Sequence, residues 1–125
     1  MIHLGLEVCD LKKTIEFYGQ LLNGQVDFYN EPQKIAVLKV AGIELNFFET
    51  KDYRFAQSGK FHIGFLQKNA QVVDQLFVKA IALGAELLSK PYHRFDGDYT
   101  FFLRDPSGIP LEIFFGTHKL SRNNE

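Results

Sequence analysis

A chain of 125 residues is close to the usual size of one domain, and 46% hydrophobic with 23% charged residues excludes extended disorder and a long coiled coil. The balance of 14 basic against 15 acidic residues, a net charge of −1, leaves no basic surface for nucleic acid. No apolar run approaches the roughly 20 residues that a membrane-spanning helix needs, and Met1 leads straight into strand-like sequence, so no membrane partner and a cytoplasmic location are expected.

In Ile2-His3-Leu4-Gly5-Leu6-Glu7-Val8 the apolar residues alternate with His3, Gly5 and Glu7, which predicts a strand with His3 turned away from the core layer. Cys9 follows as the single cysteine; it reads as a small buried residue, and any metal must rely on His and carboxylate ligands. Asp10 is placed to cap a helix over 11–22, with Leu11, Ile15, Tyr18 and Leu22 on one apolar face and Asn23-Gly24 ending it. Strands are predicted near 25–30, 34–40 and 43–49, the last two joined by a tight Ala41-Gly42 turn. A polar stretch over 51–60 reads as a linker.

The pattern then restarts. Phe61-His62-Ile63-Gly64-Phe65 echoes the first strand 59 residues on, HLGL becoming HIGF. Asn69 can cap a helix of about 70–83 closed by Gly84, and strands near 86–89, 99–104 and 109–116 follow. The ends of the two copies agree as well: Gly42-Ile43-Glu44-Leu45-Asn46-Phe47-Phe48 and Gly108-Ile109-Pro110-Leu111-Glu112-Ile113-Phe114-Phe115 each carry a carboxylate in an apolar strand before a Phe pair. The expectation is one α+β domain over 1–125, made of two tandem βαβββ modules (1–50 and 61–116) with a polar tail over 117–125. The modules should form a curved, mostly antiparallel sheet around a metal cavity, with helices on the outer face.

Duplication makes His3 and His62 equivalent, so both should approach one centre. Two imidazoles and a carboxylate suit a single divalent ion (Ni, Zn, Co, Mn or Fe) and leave positions open for a small-molecule substrate. Glu112, between Leu111 and Ile113, supplies the carboxylate; Glu44, between Ile43 and Leu45, is a fourth candidate as ligand or base. The repeat can be aligned to put either Glu44 or Asn46 opposite Glu112, since both lie on one strand face. A bland alternative exists for each group, a lone strand His being most often a hydrogen-bonded structural residue.

With these residues in hand, the chain resembles the vicinal oxygen chelate superfamily of glyoxalases, bleomycin-binding proteins and extradiol dioxygenases. The resemblance runs from residue 2 to 116, through His3, the Asp10-to-Tyr18 helix pattern, FHIGF with His62, and Asp105-Pro106-Ser107-Gly108 followed by Glu112. It implies paired βαβββ modules, a homodimer and a divalent metal gripping neighbouring oxygens of the substrate. The Ile43-Glu44-Leu45 context resembles the glyoxalase I-like branch, whose Glu at this interval is ligand and proton shuttle. The implied activity is metal-assisted proton transfer, an isomerisation or epimerisation of lactoylglutathione lyase type, with Glu44 and Glu112 catalytic. Glu7 and Phe48 stand where glutathione contacts are expected in that branch, which leaves the thiol open. Phe48, Tyr99 and Arg104 are substrate-binding candidates, and His93 is a weaker one. The surrounding His93-to-Tyr99 stretch also reads simply as a solvated turn on Asp96-Gly97. His118, in the polar tail, reads as a surface residue. The competing functions are a metal-free bleomycin-type binding protein and an Fe(II) extradiol dioxygenase.

Overall fold

The computed structural model describes residues 1–56 and 60–116; the polar tail, with His118, lies outside the described residues. Two compact units are found: Met1–Gly59 joined by Asp105–Ile109, and Lys60–Arg104 joined by Pro110–Glu125.

In the first unit, β1 (His3–Val8), α1 (Leu11–Leu22), β2 (Gln25–Asn30), β3 (Ile35–Val40) and β4 (Ile43–Glu49) build a four-stranded sheet in the order β1-β4-β3-β2. Only β1 and β4 run parallel. Asp10 caps α1 by accepting from the Lys13 N–H at 3.0 Å. The helix buries Leu11, Thr14, Phe17, Tyr18 and Leu21, while Ile15 and Leu22 are only half-buried. The seam is thus rotated from the expected one toward Thr14, whose hydroxyl donates to the Asp10 carbonyl at 2.7 Å and so can be buried. Beneath α1 the sheet presents Ala36, Leu38, Leu45 and Phe47. Strand alternation therefore puts His3, Gly5 and Glu7 of β1 and Glu44, Asn46 and Phe48 of β4 on the face away from the helix. The β3–β4 hairpin turns through Ala41 and Gly42 at φ 52° and 82°, the two positive φ values of a type I′ turn.

The Asp105–Ile109 turn also belongs to this unit. Tyr18 Oη donates to Asp105 Oδ2 at 2.8 Å, and the Cys9 N–H donates to Ser107 Oγ at 2.9 Å. Asp105 Oδ1 accepts from the Ser107 and Ile109 N–H groups at 2.8 and 2.9 Å.

The second unit contains β5 (Ile63–Leu66), α2 (Ala70–Ala82), β6 (Glu86–Leu87), β7 (Tyr92–His93), β8 (Tyr99–Arg104) and β9 (Pro110–Phe115). Its sheet runs β5-β9-β8-β6, with β7 also on β8 and β5 parallel to β9. Asn69 caps α2 through the Val72 N–H at 2.9 Å. The helix packs on β8 and β9, with Phe77 edge-on to Phe101. The fold is α+β with two modules as expected, and the strands form two sheets, each antiparallel but for one parallel pair. The predicted 86–89 strand stops at Leu87, because the Leu88 and Ser89 N–H groups both turn to the Phe102 carbonyl. No helix among the described residues is long and apolar enough to cross a membrane.

Candidate metal centre

In the second unit His62 Nε2 lies 3.2 Å from Glu112 Oε1. The ring is oriented twice: Nδ1 is 2.9 Å from the Lys60 carbonyl, and Phe102 meets the imidazole edge-on. A carbonyl can only accept, so Nδ1 carries a hydrogen. In the neutral ring the Nε2 lone pair then faces a carboxylate oxygen, an arrangement that calls for a proton or a cation between them. Two donors 3.2 Å apart can share one ion at about 2.1 Å each, and an imidazole anchored through its other nitrogen is the usual form of a metal ligand. The donor chemistry of this pair fits a divalent cation.

Glu112 is only 4% exposed and its other oxygen is fully engaged. Oε2 accepts from Arg94 Nη1 at 3.0 Å and from Thr100 Oγ1 at 3.0 Å. Arg94 comes from the turn between β7 and β8, closed by the Gly97 N–H to the Arg94 carbonyl at 3.0 Å and the Arg94 N–H to the Asp98 carbonyl at 2.8 Å. Its Nη2 also stands 3.5 Å from Asp96 Oδ2. The Asp96-Gly97 turn is thus a device that aims a guanidinium at Glu112. Burial alone would lower the Arg94 pKa, but the hydrogen bond and charge of Glu112 outweigh it, so the guanidinium stays protonated. With Oε2 so occupied, Oε1 is the oxygen left for a ligand.

The first unit brings together a different pair. β1 and β4 place His3 beside Glu44 and Gly5 beside Asn46, whereas β5 and β9 place Gly64 beside Glu112. Gly5 and Gly64 are the same position of the repeat, so Asn46 is the counterpart of Glu112. Glu44 matches Pro110. The two-residue ambiguity of the sequence resolves toward Asn46. Glu44 keeps its place on the helix-free face, next to His3.

The substrate-binding candidates separate. Phe48 lies on the His3 face, 42% exposed, with its ring over Gly5. Arg104 shares the Glu112 face of β8 and β9, but its Nε is 3.2 Å from Glu86. Tyr99 has the opposite parity: it faces α2 and donates to Asp74 Oδ1 at 2.6 Å, and the His93 ring meets it at a tilt of 44°. Neither Tyr99 nor His93 is turned toward Glu112. The side chains that reach Glu112 from this region are Arg94 and Thr100. A separate cavity of about 310 Å³ in the first unit, lined by Cys9, Lys34, Glu49 and Lys51, lies at the opposite end of β1 and β4 from His3. Among the described residues no three or more His, Cys, Asp or Glu side chains are grouped to hold an ion; His62 and Glu112 form a pair.

The chain is 28% identical over 124 residues to protein YqjT of Bacillus subtilis (strain 168), covering 90% of this chain and 96% of that one. The fold is similar to that of the fosfomycin resistance protein FosX from Listeria monocytogenes in complex with Mn(II) and sulfate, with a TM-score of 0.83, 22% identity, and coverage of 98% of this chain and 96% of that one. Lactoylglutathione lyase from Agrobacterium tumefaciens is similar at a TM-score of 0.72 and 20% identity, covering 93% and 92% of the two chains. The family model described as Glyoxalase/Bleomycin resistance protein/Dioxygenase superfamily matches residues 1–113, and the chain belongs to that superfamily.

Proposed function

We propose that this chain is a metal-dependent enzyme of glyoxalase type that moves a proton beside a carbonyl of a small, oxygen-chelating substrate. The observation that carries the reading is the anchored His62 imidazole, 3.2 Å from the buried Glu112 carboxylate. Two donors that repel each other when both are unprotonated are a poor structural pair and a good ligand pair. His3, His62 and Glu112 would be the ligands of one divalent ion. When bound, the ion supplies Lewis acidity and a template for two substrate oxygens.

The rest belongs to the chain. Arg94 and Thr100 hold Glu112 in one orientation. Glu44 is the proposed base: it is a carboxylate next to His3 on the helix-free face, in a place where the repeat has no ligand. Phe48, half-open on the same face, offers an apolar surface to the substrate. The active form is proposed to be a cytoplasmic homodimer.

The test is metal quantification on purified protein, followed by turnover assays with Ni, Zn, Mn and Fe loaded separately. Hemithioacetals of glutathione and of other thiols serve as substrates. The reading expects near-stoichiometric metal and turnover with at least one substrate. Less than about 0.2 equivalents of metal without uptake on reconstitution overturns it in favour of a metal-free binding protein. Oxygen consumption with catechols in its place would mark a dioxygenase. Glu44→Gln should keep the metal and lose turnover; full turnover in that variant removes the base assignment.

A further inference from the structure

We infer that Arg94 is a positioning residue: it ties up Glu112 Oε2, so that Glu112 gives the proposed metal ion one oxygen and a coordination position stays open for a second substrate oxygen. The inference rests on the metal reading above and extends it by naming the residue that sets how many positions the substrate can take. Every residue it uses belongs to the second unit.

Arginine and a carboxylate commonly pair through two parallel bonds, which engages both carboxylate oxygens and suits a pair that only stabilises a fold. Arg94 pairs differently. Its Nη1 donates to Glu112 Oε2 at 3.0 Å, while Nη2 turns to Asp96 Oδ2 at 3.5 Å. Thr100 Oγ1 stands 3.0 Å from the same Oε2 and 3.1 Å from the Ile113 carbonyl, so its one hydrogen is shared between two acceptors. The guanidinium is therefore the main donor and the hydroxyl the lesser one. A carboxylate oxygen has about two lone-pair sites, and both of those on Oε2 are turned to the protein.

The other oxygen is treated in the opposite way. Oε1 faces His62 Nε2 and the exposed backbone of Gly64. Gly64 lies in a regular strand and is not among the glycines at positive φ, so its missing side chain is a matter of space. A β-carbon there would stand 3.7 Å from Oε1 and 3.1 Å from the Phe114 ring. Gly64 keeps the approach to Oε1 clear while Arg94 closes Oε2. Glu112 is buried, and turning to exchange its oxygens would strand a charge away from its donors.

A carboxylate that binds through both oxygens takes two positions on an ion, and small divalent ions have few to give. By denying Oε2, Arg94 replaces a second protein oxygen with room for a second oxygen from the substrate. It thereby favours ligands that chelate through two oxygens over those that bind through one.

The experiment uses the full-length protein with Mn(II) alone as the metal probe, oxalate as a two-oxygen ligand and acetate as a one-oxygen ligand. Water-proton relaxation counts the exchangeable waters on the bound ion, calorimetry reads both anions, and circular dichroism is the folding control. Arg94→Leu should carry one water fewer than wild type, bind oxalate about tenfold more weakly and bind acetate within about twofold. Arg94→Lys should restore the water count and most of the oxalate affinity, because a single charged donor is all that Oε2 takes from Arg94. Thr100→Val removes the lesser donor and should move both readings the same way by a smaller amount, which keeps the test open if Arg94→Leu does not fold. A pair that only stabilised the fold would lower stability and Mn(II) uptake without altering the water count. An unchanged water count and an unchanged preference for oxalate over acetate in the folded, Mn(II)-loaded variants would overturn the inference and leave the metal reading standing. Wild type that takes up no Mn(II) would overturn both.

Discussion

His62 Nε2 faces Glu112 Oε1 across 3.2 Å while Nδ1 of the same ring is spent on the Lys60 carbonyl. That leaves one nitrogen and one oxygen pointed at each other, and it makes the pair separable by mutation. Glu112→Gln removes the charge and His62→Ala removes the nitrogen. Each should lower Mn(II) or Zn(II) affinity at least about 100-fold, more than loss of an outer-shell partner. Titration calorimetry with circular dichroism as a folding control checks this. Either variant binding as tightly as wild type would dismiss the pair as ligands.

Arg94 and Thr100 act on the other oxygen of Glu112. Arg94→Leu leaves a carboxylate that is 5% exposed short of its cationic partner, and should cost about 1–3 kcal/mol in the metal-free protein. Thr100→Val, at a fully buried hydroxyl, should cost about 1–2 kcal/mol. Urea denaturation measures both. Since Arg94 and Thr100 share Oε2, the double mutant should fall short of the sum. Strict additivity would mean that the two do not act through Glu112.

Asp105 offers a pH test away from the proposed centre. Burial raises its pKa above the ordinary carboxylate value, only partly offset by the hydrogen bonds from Tyr18, Ile109 and Ser107. A carboxyl whose folded pKa is raised contributes most to stability when protonated. That contribution is full below the unfolded value of about 3.9 and is lost as pH rises through the folded value. Asp105→Asn cannot titrate, yet it keeps the acceptor for the Ser107 and Ile109 N–H groups. Wild type should therefore lose stability relative to Asp105→Asn as pH rises from about 3.5 to about 7. A constant difference across denaturation curves in that range would show that Asp105 does not titrate abnormally.

Ala41 sits at φ 52° in the β3–β4 turn, a region that alanine enters at a cost and asparagine tolerates. Ala41→Asn converts the turn to Asn-Gly, the preferred pair for type I′, and should stabilise the protein by about 0.5–1 kcal/mol. No loss of metal affinity should accompany it. A lower midpoint in thermal denaturation would show that the turn differs from this geometry.

Much of the fold could be read before any coordinates. HLGL and HIGF, each with a cap residue seven positions after its His (Asp10, Asn69), set out two copies of one unit, and alternation put His3 on the helix-free face. Three things escaped, each for a physical reason. A slip of two residues keeps a strand's side chains on one face, so alternation could not choose between Glu44 and Asn46. Gly42 and Gly108, each four residues ahead of its strand position, carry the register that alternation lacks. β8 carries a Phe at each parity, Phe101 between Tyr99 and Leu103 on one and Phe102 between Thr100 and Arg104 on the other, which blurs the face it turns to α2. Tyr99 was misplaced and Thr100 missed for that reason. Arg94 reaches Glu112 through the geometry of a turn and the register of a hairpin, which composition does not encode.

The sharing of Asp105–Ile109 bears on how such a duplicated chain can be taken apart. A gene cut in the linker would leave the first half without the acceptor for the Tyr18 hydroxyl and without the Ser107 oxygen that holds the Cys9 N–H. The second half would carry that turn with nothing to plug into. The halves are therefore interlocked by five residues that are late in sequence but belong to the early unit.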